Sequence, residues 1–350
     1  MPRNKTYAIA VVLTVAVVAG PALAQGVGSH AAKHGASAKA GARGPRGARG
    51  PRGLKGAAGQ AGPAGATGAP GTSGSSADAF LRTIVVSPTG GDSAANGGLL
   101  LSALAGTGGA SAATPYLVWV EPGVYDLGST PLHIPSHVDL QGSGQDVTTV
   151  AGEGPVTLVA AAGSELRELT VTDTAGGSSA EAIDTSGGLH DVTATATGGS
   201  AATAVLANGP TMPLVNVTAT ATTGEPGSFV QAIDAQNTAQ IDGGTFTAHE
   251  SAAVGQAVAL FAEAGTDVGD ATLAATGGAT PYAVDVVAAN ATVTVHGSTL
   301  IGTGGFFVSA GDTLGVGGSQ IPGVATSGSG TARCPADWLA SYVGASSDCS

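Results

Sequence analysis

From about residue 154 onward, apolar and polar positions alternate in short runs, with no spacing of three to four that would suggest a helix. The clearest mark is a column of threonines: Thr170, Thr193, Thr218, Thr245, Thr272 and Thr299, stepping by 23, 25, 27, 27 and 27 residues. Each lies in a β-like run such as Glu168-Leu169-Thr170-Val171-Thr172 or Asp191-Val192-Thr193-Ala194-Thr195. A second, apolar column alternates with it, read as Ile183, Val205, Ile233, Val258, Val284 and Val308. Gly, Asn, Asp and Ser separate the runs, as in Thr197-Gly198-Gly199 and Thr276-Gly277-Gly278, which reads as strands joined by turns. Self-similarity at a period of ~20–50 residues signals stacked repeats. The expectation is an all-β fold, a right-handed parallel β-helix (solenoid), with coils over 154–330.

Both ends of a solenoid need covering, because the last rungs expose unpaired strand edges. Residues 77–153 read as the opening module, with a strand near Thr83–Ser87 and an apolar run, Leu99–Leu104, suited to a covering helix. Residues 331–350 read as the closing cap, where Trp338, Leu339 and Tyr342 lie between Cys334 and Cys349. Phe306 and Phe307 are expected to be core near the last coil rather than a ligand platform.

The segment before the coils obeys a different period. From Gly41 to Gly74 every third residue is glycine, twelve unbroken Gly-X-Y triplets over 41–76. Only glycine fits the crowded axis of three polyproline-II-like chains, so a strict period of three points to a triple helix. The segment resembles bacterial collagen-like proteins, and the partner it implies is two further copies of the chain, a homotrimer through 41–76. Residues 1–24 read as an export signal: Arg3 and Lys5, an apolar run from Ala8 to Gly20, then Ala22-Leu23-Ala24. Residues 25–40 read as a flexible linker. A secreted or surface-exposed protein is expected.

Charge sharpens this division. Seven basic residues and no acid lie in 25–76, whereas 77–350 holds Arg82, Arg167 and Arg333 against all 24 acids and contains no lysine. An acidic body excludes nucleic acid as its partner. The chain's two cysteines, in an exported protein, favour a Cys334–Cys349 disulfide.

Two motifs in the opening module carry a second resemblance: Val120-Glu121-Pro122-Gly123-Val124-Tyr125, and Val138-Asp139-Leu140 followed by Gly142, Gly144, Asp146 and Thr148. They are similar to the first coils of pectinesterases and other pectin-lyase-like β-helix proteins. That resemblance implies a fold shared by many functions. It also implies, for an active pectinesterase, two carboxylates, charge-stabilising glutamines and an orienting arginine. Gln256, in Gln256-Ala257-Val258-Ala259-Leu260, matches one such glutamine. Gly278-Ala279-Thr280-Pro281-Tyr282 and Gly304-Gly305-Phe306-Phe307-Val308 stand where the carboxylates would be. Gln231 is expected at the same rung position one coil earlier, which favours a structural ladder.

Asp184, Asp234 and Asp285, each just after the apolar column, are the remaining weak candidates. Asp191, Asn216 and Asp270 lie two places before the threonine column. No cofactor is expected. Acids stacked ~4.8 Å apart could take Ca²⁺ through oxygen ligands, but a turn-capping ladder is the simpler reading. Hydrolysis of a neutral glycan by paired carboxylates stays open. The functional expectation is a collagen-like structural or binding protein with a non-catalytic, glycan-binding β-helix body. The alternatives are a pectinesterase- or lyase-like enzyme and a trimeric, tail-spike-like adhesin.

Overall fold

A computed structural model describes residues 82–339 apart from 176–178, 211, 289, 322–326 and 335–337. The expected export signal, linker and Gly-X-Y segment lie outside the described residues, as does much of the closing cap, including Cys349. Cys334 itself is buried.

The chain winds into a parallel β-solenoid with three ladders of strands. Sheet 1 begins with Arg82–Val86, Tyr116–Val120 and Val138–Gln141, and sheet 2 with Gly123–Asp126 and Thr148–Gly152. Two long strands, Glu165–Asp173 and Gly188–Thr197, bend across the corner and belong to both. Sheet 3 is a separate ladder of nine strands, from Leu132–Ile134 to Ser327–Gly328.

The threonine column is a true register column. Thr170 pairs with Thr193, Thr193 with Thr218, Thr218 with Thr245, Thr245 with Thr272 and Thr272 with Thr299 on the outer face of sheet 2. Alternation along a strand then sends Val171, Ala194, Ala219, Phe246, Leu273 and Leu300 into the core, where all are buried.

The position two places before each threonine turns the corner between sheets 1 and 2. Glu168, Asp191, Asn216 and Asp270 adopt φ of 53°, 53°, 53° and 52°, and Gly243 and Gly297 take the same corner at 71° and 59°. Left-handed backbone is tolerated by Gly, Asn and Asp far better than by other residues. The acids beside the threonines are therefore a turn ladder. Asn216 Nδ2 donates to Asp191 Oδ1 at 2.5 Å, and His190 Nδ1 stands 2.7 Å from Asp191 Oδ2.

The apolar column of sheet 3 differs from its sequence reading. Ile233 pairs with Leu260, Leu260 with Val284 and Val284 with Phe306. Val258 instead pairs with Gln231 and Tyr282. The strands of sheet 3 bury two consecutive residues, as at Ala182–Ile183, Ala232–Ile233 and Ala259–Leu260. The doubled step recurs in register from coil to coil, so Leu260, the residue after Ala259, takes the place of Ile233, and Val258 lies two positions before it. Val308 pairs with Val286, not Val284.

The one helix among the described residues, α1 (Ser93–Ala105), covers the first coil and is longer than the apolar run alone suggests. Asp92 caps its N-terminus by accepting from the amides of Ala94 and Ala95, both at 3.1 Å. Leu100 and Leu104 are buried, and Asn96 Nδ2 donates to the Val124 carbonyl at 3.1 Å. Gly97 is required by close approach: a Cβ there would lie 1.9 Å from the Asp126 carbonyl oxygen.

Candidate functional site

The outer face of sheet 3 carries Asp184, Asp234 and Asp285 together with Glu181. In register, one outward column reads His133, Val159, Asp184, Leu206, Asp234, Phe261, Asp285, Phe307. All three candidate aspartates thus stand on one line. Each is separated from the next by an apolar residue, so successive aspartates lie two rungs apart, about 10 Å along the axis. A second outward column runs beside it: Glu181, Thr203, Gln231, Val258, Tyr282.

Gln256 pairs with Phe229, whereas Gln231 pairs with Val258. The two glutamines therefore do not share a rung position, contrary to the expected ladder. Each serves a different aspartate. Gln256 Nε2 donates to Asp285 Oδ2 at 3.1 Å, while Gln231 Oε1 accepts from Thr203 Oγ1 at 3.2 Å and the Gln231 side chain also bonds Asp234. Gln236 Nε2 reaches Asp234 Oδ2 at 3.4 Å. The other oxygens, Asp234 Oδ1 and Asp285 Oδ1, are buried without a hydrogen-bond partner.

Burial governs the protonation of this face. It pushes Asp234 and Asp285 up to about 7, with Glu263 adding to the effect on Asp234 and hydrogen bonds from the glutamines opposing it. Glu181 is pushed to about 7 by burial and by the charges of Asp184, Asp234 and Asp173. Asp184 is raised by burial, against the hydrogen bond from Asn208. Desolvation disfavours the charged form of a carboxyl, and among the described residues no Lys or Arg offsets it on this face. The described arginines stand on sheet 1, where Arg82 packs over the Tyr116 ring and Arg167 pairs with Asp139 and Glu165. A pectinesterase-like arginine step has no candidate on this face among the described residues. Nor do these residues contain a group of three or more His, Cys, Asp or Glu arranged to hold a metal ion.

Aromatic rings complete the surface. Phe229 and Phe261 meet edge to face at 5.4 Å, and Tyr282 and Phe307 lie 5.8 Å apart at 50°. The expectation that Phe306 and Phe307 both belong to the core holds for Phe306 alone. It is fully buried, while Phe307 points outward into the aspartate column. Adjacent residues of a strand face opposite ways, so a Phe-Phe pair cannot fill one role.

At its first coils the face runs into a groove of about 590 Å³ walled by α1 and sheet 3. Leu101, Pro131 and Val159 supply apolar walls, and His133, Asp184, Ser186 and Asn208 supply polar groups. Asn208 Nδ2 donates to Asp184 Oδ1 at 2.5 Å, and Ser186 Oγ bonds Asn208 Oδ1. Ser186 and Asn208 carried no signal in the sequence, since only the fold places two turn residues from successive coils beside Asp184.

Comparison with known proteins finds similar structures. Pectin methylesterase from carrot aligns over 62% of this chain and 75% of its own, at 14% identity and a TM-score of 0.40. Pectin methylesterase PemA from Erwinia chrysanthemi aligns over 77% and 92%, at 10% identity and 0.35. ORF18 of Geobacillus virus E2 aligns over 73% and 60%, at 11% identity and 0.35. No family model and no curated protein matches the chain. The roles assigned to residues here rest on the chain's own geometry.

Proposed function

We propose that the protein is an exported, collagen-stalked β-helix protein whose sheet 3 binds a neutral glycan without catalysing its turnover. One observation carries this reading: the outward column in which Asp184, Asp234 and Asp285 alternate with Leu206, Phe261 and Phe307. Aromatic and aliphatic side chains suit the C–H faces of sugar rings, and the carboxyl and amide groups beside them suit hydroxyls. Among the described residues this face carries acids and neither Lys nor Arg, which disfavours polyuronates and suits an uncharged glycan. The Gly-X-Y segment would supply length and a trimer, multiplying weak contacts by avidity. The full-length protein should retain neutral glycans on an array and release no product from them. Reducing sugar, methanol or unsaturated ends accumulating with time would refute the non-catalytic part, and a blank array the binding part.

A second reading has its own support. Glu181, Asp234 and Asp285 titrate near 7, where a carboxyl can act as general acid or base. Phe261, standing between Asp234 and Asp285, keeps the two carboxyls on separate rungs and favours binding over hydrolysis.

A further inference from the structure

We infer that the groove between α1 and the first coils of sheet 3 is a terminal-sugar site, so that the protein grips a neutral glycan by its end. The inference rests on the glycan-binding reading of sheet 3 and adds where the ligand stops.

The groove continues the binding face. His133, Val159 and Asp184 are the first three positions of the column that later carries Asp234 and Asp285. At the first-coil end of that column the groove lining adds Leu101 and Leu104 of α1. An internal stretch of polymer would have to turn away there, whereas a chain end fits. The volume, about 590 Å³, lies within the ~300–1,000 Å³ of ordinary ligand pockets. That leaves room for a sugar unit and its neighbour.

The lining has the chemistry of a sugar site. Pro131, Val159 and Leu101 form apolar walls for one face of a pyranose. Beside Val159, on neighbouring rungs of the same face, Asp184, Asn208 and Ser186 form a bonded row. Asp184 Oδ1 and Asn208 Oδ1 are occupied within the row, which leaves Asp184 Oδ2 as an acceptor and an Asn208 N–H as a donor. An acceptor and a donor held side by side match vicinal hydroxyls, each of which both gives and takes a hydrogen bond. His133 is the one basic side chain in the lining, too little to select an anionic sugar.

Binding of cellohexaose, mannohexaose, laminarihexaose and maltohexaose to the full-length protein tests this by calorimetry. Each is compared with a form whose reducing end is converted to the alditol and with one whose other end carries a 4,6-O-benzylidene group. The expected result is that one block weakens the binding hexaose at least about tenfold and the other leaves it unchanged. Asn208→Ala should cost roughly tenfold, the loss of one or two hydrogen bonds. Val159→Trp, which fills the groove, should do the same, with circular dichroism confirming that both variants fold. A hexaose that binds equally well with either end blocked would overturn the end-site inference and leave glycan binding standing. If no hexaose and no array glycan binds, both fall together.

Discussion

Replacing Asp285 with asparagine isolates the burial of charge on sheet 3. Asp285 is 3% exposed, accepts one hydrogen bond from Gln256 and leaves Oδ1 without a partner. Its titration moves from the usual 3.8 to about 7. Between those values the folded protein holds a proton that the unfolded chain has released. Stability is therefore fully present below about pH 4, falls as pH rises toward 7, and levels off above that. A displacement of this size is worth at most about 4 kcal/mol, at 1.36 kcal/mol per pH unit. Asparagine keeps an oxygen for Gln256 and cannot ionise. At pH 5 its amide replaces a mostly protonated carboxyl at a cost of about 1 kcal/mol, because a buried N–H gains no partner. At pH 9 it should be the more stable form by roughly 2–3 kcal/mol. Urea unfolding followed by far-UV circular dichroism at pH 5, 7 and 9 gives both curves. Parallel stability curves for wild type and Asp285→Asn across this range would refute the claim that a buried, uncompensated carboxyl sits there.

Four further outcomes follow from particular contacts. Gly97→Ala should destabilise the first coil by about 1–3 kcal/mol, since its Cβ meets a backbone carbonyl that cannot move aside; thermal melting reads this directly. At the corner, Asp270→Gly should match or exceed wild-type stability, while Asp270→Val should lose about 1–2 kcal/mol to left-handed backbone strain. Thiol titration of the unfolded, unreduced protein should find no free cysteine, and reduction of a Cys334–Cys349 bridge, which would close a loop of about 15 residues, should lower stability by about 3 kcal/mol. Sedimentation should give a trimer for the full chain and a smaller species when residues 41–76 are deleted; two monomers would remove the stalk's proposed role.

Much of the scaffold is readable from local pattern. Six threonines at near-constant spacing predict six paired rungs, and every pairing is formed. The reason is that a strand has a period of two, so inward Val171, Ala194 and Phe246 and outward threonines are settled within each run. The corner acids illustrate a limit. Asp191 and Asp270 sit where acid stacking and turn capping predict the same sequence, and only φ separates the two.

Sheet 3 was less legible because its strands bury two adjacent residues, which breaks the alternation that a reader counts. Val258 and Leu260 are equally apolar, so nothing local says which one pairs with Ile233. Gln256 and Gln231 occur in similar words, yet stand two places apart on the ladder. Composition and local periodicity were enough for the fold class, the threonine ladder and the acidity of the body, because these depend on each residue's own chemistry and its near neighbours. The alternation of Asp184, Asp234 and Asp285 with Leu206, Phe261 and Phe307, and the meeting of Asn208 and Ser186 beside Asp184, depend on how many turn residues separate one rung from the next. Turn length is weakly constrained by turn composition, so that register emerges only when the coils stack.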